Sequence, residues 1–134
     1  MALEKSLHAA QRSIPECIAA GYVDMVTGML LAVRTVDSHP TEILDLVAAA
    51  TAELFQGPRI SEIEQAFHRA RKEEGRSPHY LHEIVVLSRN LIHVFLRGRR
   101  LEDHAAVFVC RSTANLGMVL TRSRLALPAI EAAL

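Results

Sequence analysis

The sequence predicts one α/β domain of the layered α+β kind, with antiparallel hairpins covered by helices on both faces. Three observations carry this. Apolar residues recur at helical spacing near both ends of the chain and through its middle, two pairs of β-rich runs are joined by short turn sequences, and the later hairpin is apolar on both faces, so neither face can be left to water. With 134 residues, half of them apolar and 22% charged, the chain can bury one core and is too short for a second. It reads as one domain over 1–134, with an extra helical insertion at about 57–76.

The first helix is expected over about 2–13, where Leu3, Leu7, Ala10 and Ile14 share a face and Pro15 ends the run. Residues 18–36 are rich in β-branched and other apolar side chains. They are interrupted at Asp24-Met25-Val26-Thr27-Gly28, where Gly28 can take the left-handed conformation that closes a hairpin with a bulge. Asp37-Ser38-His39 ahead of Pro40 supplies capping side chains and a first-turn proline, so a long helix should run over about 40–56. Its polar residues Glu42, Asp45, Glu53 and Gln56 fall within a stripe of roughly 80°, counting about 100° per residue. Ile43, Leu44, Leu46, Val47, Ala48, Ala50, Leu54 and Phe55 cover more surface than one sheet face can bury, and a second copy of the helix would cover the remainder.

Gly57-Pro58 should break or bend this helix. Beyond it Ile60, Ile63, Ala66, Phe67 and Ala70 define an amphipathic segment, with Ser61 and Glu64 at capping-box spacing and Gly75 and Pro78 as stops. The opposite face, with Glu62, Glu64, His68, Arg69, Arg71, Lys72, Glu73 and Glu74, reads as a solvated surface supported by pairs such as Arg69 with Glu73. Within 80–97 two strands flank the turn Ser88-Arg89-Asn90. With Arg89 and Asn90 at its centre, Val85, Leu87, Ile92, Val94 and Leu96 share one face, and Ile84, Val86, Leu91 and Phe95 the other. Residues 98–103 then form a charged turn and 104–110 a fifth, nearly continuous apolar strand. Ser112 or Thr113 can cap a last helix that buries Leu116, Val119, Leu120, Leu127, Ile130 and Leu134 and is kinked or broken at Pro128.

Composition and motifs argue against most chemistries. Fifteen basic residues balance fifteen acidic ones, so the chain lacks the positive surplus of a general nucleic-acid binder. The cluster Arg97, Arg99 and Arg100 has no aromatic residues at stacking positions and is answered by Glu102 and Asp103, which reads as a solvated turn. Apolar runs are broken by Asp24, Asp45 or Glu53 before they reach the roughly 20 residues that span a bilayer, and the first residues show no export-signal pattern. A cytoplasmic location without membrane insertion is expected. Cys17 and Cys110, far apart in sequence, are expected as ordinary reduced thiols, Cys110 in a buried strand.

Of the seven histidines, His79, His82, His93 and His104 lie in the strand region. His93 should face Val86 and His82 should face Arg97 across the hairpin, so they do not converge on a metal. No G-x-S-x-G elbow is present, Ser88 near His93 reads as turn composition, and Gly57-Pro58-Arg59 places a proline where phosphate-binding amides are needed. No catalytic, metal or cofactor residue is assigned.

The order helix, two strands, long helical region, three strands, helix resembles the roadblock family of dynein light chains and their bacterial relatives. The resemblance rests on GYVDMVTGMLL at 21–31, EIVVLS at 83–88 and, most specifically, VFVCRSTANLGMVL at 107–120, where Asn115-Leu116-Gly117 opens the last helix. It implies a five-stranded antiparallel sheet of profilin-like roadblock topology, α-β-β-α-β-β-β-α, with the long helix on one face and the terminal helices on the other. Family members commonly dimerise by pairing an edge strand and packing the long helices together. The resemblance therefore implies a non-enzymatic homodimeric scaffold or adaptor, with regulation of a small Ras-like GTPase among the roles of relatives.

The strand 80–87 is then expected at the sheet edge, paired with its symmetry mate, because its apolar alternation would otherwise leave an adhesive edge. The expected interface residues are Ile43, Val47, Ala50 and Leu54 on the long helix and Leu81, Glu83 and Val85 on the strand. The segment 60–74 is longer than the family's usual connection and can cover, extend or replace its partner surface. The alternative is a small-ligand sensor. An apolar cavity with convergent polar groups would favour it, whereas tightly filled faces and a large symmetric interface would favour the scaffold.

Overall fold

The computed structural model describes residues 2–36, 41–71, 79 and 81–134. In chain order its elements are α1 (Ala2–Ser13), β1 (Cys17–Asp24), β2 (Met29–Thr35), α2 (Thr41–Gln56), α3 (Pro58–Arg71), β3 (Glu83–Leu87), β4 (Leu91–Arg97), β5 (His104–Arg111) and α4 (Leu116–Ala132). The strands form one antiparallel sheet in the order β2-β1-β5-β4-β3.

α1 forms where the apolar period predicts it, and Leu3, Leu7, Ala10 and Ile14 are all buried. Glu16, at φ 51°, takes the left-handed conformation that turns the chain into β1, at a cost of about 1–2 kcal/mol for a residue with a Cβ. Gly28 closes the β1–β2 hairpin at φ 72°, its amide donating to Asp24 O at 2.8 Å, and the register shifts between Tyr22 and Val23. The later hairpin has the expected register, with Val85 opposite Val94 and Val86 opposite His93.

The sheet buries apolar side chains on both faces. Tyr22, Val94, Leu96, Phe108 and Cys110 pack with α1 and with Val119, Leu127 and Ile130 of α4. Val23, Phe95, Ala105 and Val107 pack with Ala48 and Phe55 of α2.

Several local expectations are corrected. β3 begins at Glu83; before it the His82 carbonyl still accepts from the Arg97 amide, whereas the Leu81 carbonyl is taken by Arg97 Nε, both at 2.8 Å, and Tyr80 lies outside the described residues. α4 is capped by Asn115, whose side chain accepts from the Met118 amide at 3.0 Å. Ser112 instead donates its amide to Asn90 O, and the Thr113 hydroxyl donates to Glu16. α4 continues through Pro128, and its inward side includes Ser123 and Glu131, while Leu116 and Leu134 are exposed. The Glu131 carboxylate accepts from the amides of Arg99, Arg100 and Leu101 at 2.8–3.0 Å. Gly98 permits that turn, since a Cβ there would lie 2.2 Å from Leu101 O.

α2 bends into α3 without a stop. The Gly57 amide still donates to Glu53 O, the Ser61 amide donates to Gly57 O, and Pro58 takes the first position of α3, where no amide is needed. The Ser61–Glu64 capping box is therefore inside the helix. The solvated face expected for this segment is also wrong in part: Glu64 is 5% exposed, whereas Ile63 and Phe67 are 51% and 48% exposed. The proposed stops Gly75 and Pro78, the residues Lys72, Glu73 and Glu74, and the cap 37–40 lie outside the described residues.

Candidate interaction surface

Arg97, the last residue of β4, is 2% exposed, so it is not part of a solvated turn. Its Nε donates to Leu81 O at 2.8 Å, Nη1 to Gln56 Oε1 at 3.0 Å and Glu102 O at 2.9 Å, and Nη2 to Phe55 O at 3.1 Å. The guanidinium also lies 5.1 Å from the centre of the Phe55 ring. It occupies the C-terminal end of α2, where unpaired carbonyls and the helix dipole favour a cation. Burial lowers the Arg97 pKa, opposed by the charges of Glu64, Glu102 and Asp103. Glu64 of α3 turns inward toward this charge, and its Oε1 also lies 3.5 Å from His79 Nδ1.

Anchoring α2 in this way fixes its rotation. Ala48, Thr51 and Phe55 are fully buried, and the Thr51 hydroxyl is spent on Val47 O at 2.8 Å. The outer side carries Leu46 and Leu54, 70% and 37% exposed, with exposed Ala49 and Ala50, and Val47, 43% exposed, stands at its border with the sheet. Ile43 belongs to α2, but its side chain lies outside the described residues. Across the bend, Ile63, Ala66, Phe67 and Ala70 continue the exposed apolar stripe along α3.

Between α2 and the sheet lies an apolar groove of about 240 Å³, walled by Leu44 and Val47 on the helix and by His93, Phe95 and Val107 on the sheet. Among the described residues its polar side chains are Thr35 and His93, which do not make the converging polar set of a small-ligand site. His93 pairs across the ladder with Val86 of β3, the last strand of the sheet order. Val85, Val86 and Leu87 are exposed, and the outer edge of β3 has no strand partner among the described residues. The helix stripe, the groove and the α2-side of β3 thus adjoin one another.

The expected site residues divide accordingly. Ala50 and Leu54 share the outward face of α2, and Val47 stands at its border with the sheet. Leu81 is half-buried against the α2-side core, its carbonyl held by Arg97. Glu83 and Val85 alternate with Val86 and point to the α4 side, where Glu83 receives three hydrogen bonds from Arg124, at 2.7–3.2 Å. The Arg124 guanidinium holds the Glu83 pKa below the usual carboxylate range. Sequence reasoning left Leu46, Ile63, Phe67, Val86 and Leu87 out of the surface. The pairing of Val86 with His93 was the available signal for the strand residues.

Ser88 and His93 do meet, with Oγ 3.2 Å from Nε2, and burial lowers the His93 pKa. Among the described residues no carboxylate orients this imidazole, and Ser88 sits on an exposed turn within reach of Leu91 O, so a nucleophile–base–orienter set is not assembled. The described residues contain no cluster of three or more His, Cys, Asp or Glu placed to hold a metal, and none of their helices is long and apolar enough to cross a membrane.

The chain is similar in structure to the gliding protein MglB of Thermus thermophilus, with a TM-score of 0.70 and 21% identity over 98% of this chain and 87% of that one. It is also similar to a Roadblock/LC7 domain from Streptomyces avermitilis, with a TM-score of 0.70 and 13% identity over 98% and 97% of the two chains. An MglB with tetrameric arrangement aligns with a TM-score of 0.66 and 22% identity over 98% and 90%. No family model and no curated protein matches the sequence. The likeness shows the fold: a five-stranded antiparallel sheet between helices in the roadblock arrangement.

Proposed function

We propose that this roadblock-fold chain is a non-enzymatic, cytoplasmic homodimer that acts as a scaffold or adaptor, with a small Ras-like GTPase as its partner class. The observation that carries the reading is the contiguous apolar surface formed by the outward face of α2, the adjoining groove and the free edge of β3. Soluble proteins seldom leave such a surface to water. Two copies related by a two-fold axis can pair β3 with β3 in one continuous sheet and set the two α2 stripes against each other, each filling part of the other's groove. The tetrameric arrangement named for one MglB structure supports self-association, and the gliding proteins that share the fold support a role in GTPase regulation.

Sedimentation velocity across a concentration series tests the dimer, and a monomer at every concentration sinks it. Titration with small Ras-like GTPases from the same cell, loaded in turn with GDP and a non-hydrolysable GTP analogue, tests the partner class. Binding that differs between nucleotide states is expected. Absence of binding across the set removes the GTPase and leaves the dimer standing.

A further inference from the structure

Cys17 opens β1 and Cys110 lies near the end of β5, and the antiparallel register sets them directly opposite each other. The Cys17 amide donates to Ile14 O at 3.3 Å, and the neighbouring Arg111 amide donates to Glu16 O at 3.1 Å. The two cysteines therefore occupy a non-hydrogen-bonded position of the ladder, where opposed Cα atoms approach to about 4.5 Å and side chains lie closest. Disulfides span Cα separations of about 4.4–6.8 Å, a range that includes this ladder spacing, and the register shifts just beyond the pair, between Cys17 and Ala19. Both side chains belong to the same buried cluster on the α4 side of the sheet, and the Cys17 thiol donates to Ala19 O at 3.2 Å.

We propose that Cys17 and Cys110 form a reversible cross-strand disulfide, with a peroxide as the oxidant. The Cys17 thiolate attacks one peroxide oxygen, the O–O bond breaks, and the departing oxygen leaves as water after taking up protons. The sulfenic acid so formed on Cys17 is attacked by the Cys110 sulfur. Its hydroxyl leaves as a second water with the Cys110 proton, and the S–S bond closes. Two electrons pass from the sulfurs to the peroxide, and a dithiol reverses the reaction.

The geometry distinguishes the two roles. Cys17 lies at the strand's open end and is the more exposed of the pair, whereas Cys110 is fully enclosed. The neighbouring Cys110 thiol holds the Cys17 pKa below the ordinary thiol range despite its burial, while Cys17 and burial push Cys110 up. Cys17 is thus the attacking thiol and Cys110 the resolving one. The bond staples the two central strands and closes most of the chain into one loop, which restricts the unfolded state.

The folded protein is exposed to hydrogen peroxide, quenched, unfolded in an alkylating reagent and weighed intact. The expected product is a monomeric chain lighter by two hydrogens, with no alkylated thiol, a thermal midpoint several degrees higher and full recovery in dithiothreitol. Cys110→Ser should leave a sulfenic acid on Cys17 that dimedone traps, whereas Cys17→Ser should leave Cys110 unoxidised. Two alkylatable thiols surviving peroxide in the wild type, or oxygen adducts in place of lost hydrogens, would overturn the proposal.

Discussion

Arg97 and Glu131 hold the two ends of the β4–β5 connection, one by filling carbonyls and the other by filling amides. Arg97 serves acceptors from residues 55, 56, 81 and 102 inside a buried space, so Arg97→Ala strands them all and leaves Glu64 without the cation beside it. The expected cost is about 3–5 kcal/mol, read from urea unfolding. Arg97→Lys should fall between, because an ammonium keeps the charge and loses the planar fork. An Ala variant as stable as wild type would remove Arg97 from this role. None of this was legible in the run Arg97-Gly98-Arg99-Arg100, since most of what buries the first arginine arrives from the end of α2 and from Leu81. Glu83 makes a pH prediction. Arg124 depresses its folded pKa, so the pair stabilises the fold above the ordinary carboxylate value of about 4.3 and loses that contribution as the pH falls through the folded pKa. Both side chains are partly exposed, so the effect is small and salt-sensitive. The gap in urea midpoint between wild type and Glu83→Gln should be measurable at neutral pH and should close in acid. A gap that persists in acid contradicts the linkage.

At the scale of elements, apolar periodicity located the helices better than it oriented them. α1 was legible in both extent and face because its four apolar positions match a single buried side. The β3–β4 register was legible because Ser88-Arg89-Asn90 fixes the turn and the turn fixes every pair beyond it. The existence of α3 was equally legible, but its rotation was not. A helical stripe says which residues lie together, and only partners from elsewhere in the chain, buried Arg97 and His79, say that Glu64 outcompetes Ile63 for the interior. This inverts the usual ranking of substitutions. Glu64→Ala should destabilise by about 1–3 kcal/mol, and Ile63→Ser by no more than about 0.5 kcal/mol. Thermal unfolding of the two variants decides, and the reverse order would mean that α3 docks through its apolar stripe.

On the scale of the whole molecule the fold leaves one demand unmet, because α2 covers the sheet with one side and offers a second apolar side to water. The surplus of apolar residues on 40–56 was legible in the sequence. Which residues form it was legible only in part, since Leu46, outside the expected contacts, is more exposed than Val47 and Leu54. Ala50 stands exposed in the single chain and Val47, at the rim of the groove, is 43% exposed, so a carboxylate at either position reaches water in a monomer and costs the fold far less than one buried in an interface. In a two-fold dimer built on α2, the same substitution enters the interface twice, once from each copy, and each carboxylate is buried without a counter-charge. That costs several kcal/mol, roughly 3–5 on the scale of unpaired buried charges, enough to shift dissociation by a factor of about a hundred or more. Val47→Glu and Ala50→Glu should therefore sediment as folded monomers at concentrations where wild type is dimeric, with circular dichroism unchanged. Glu53→Ala, on the polar stripe, should leave association intact. Stable dimers of both Glu variants would take α2 out of the interface, leaving the β3 edge and the α3 stripe as the surfaces that pair.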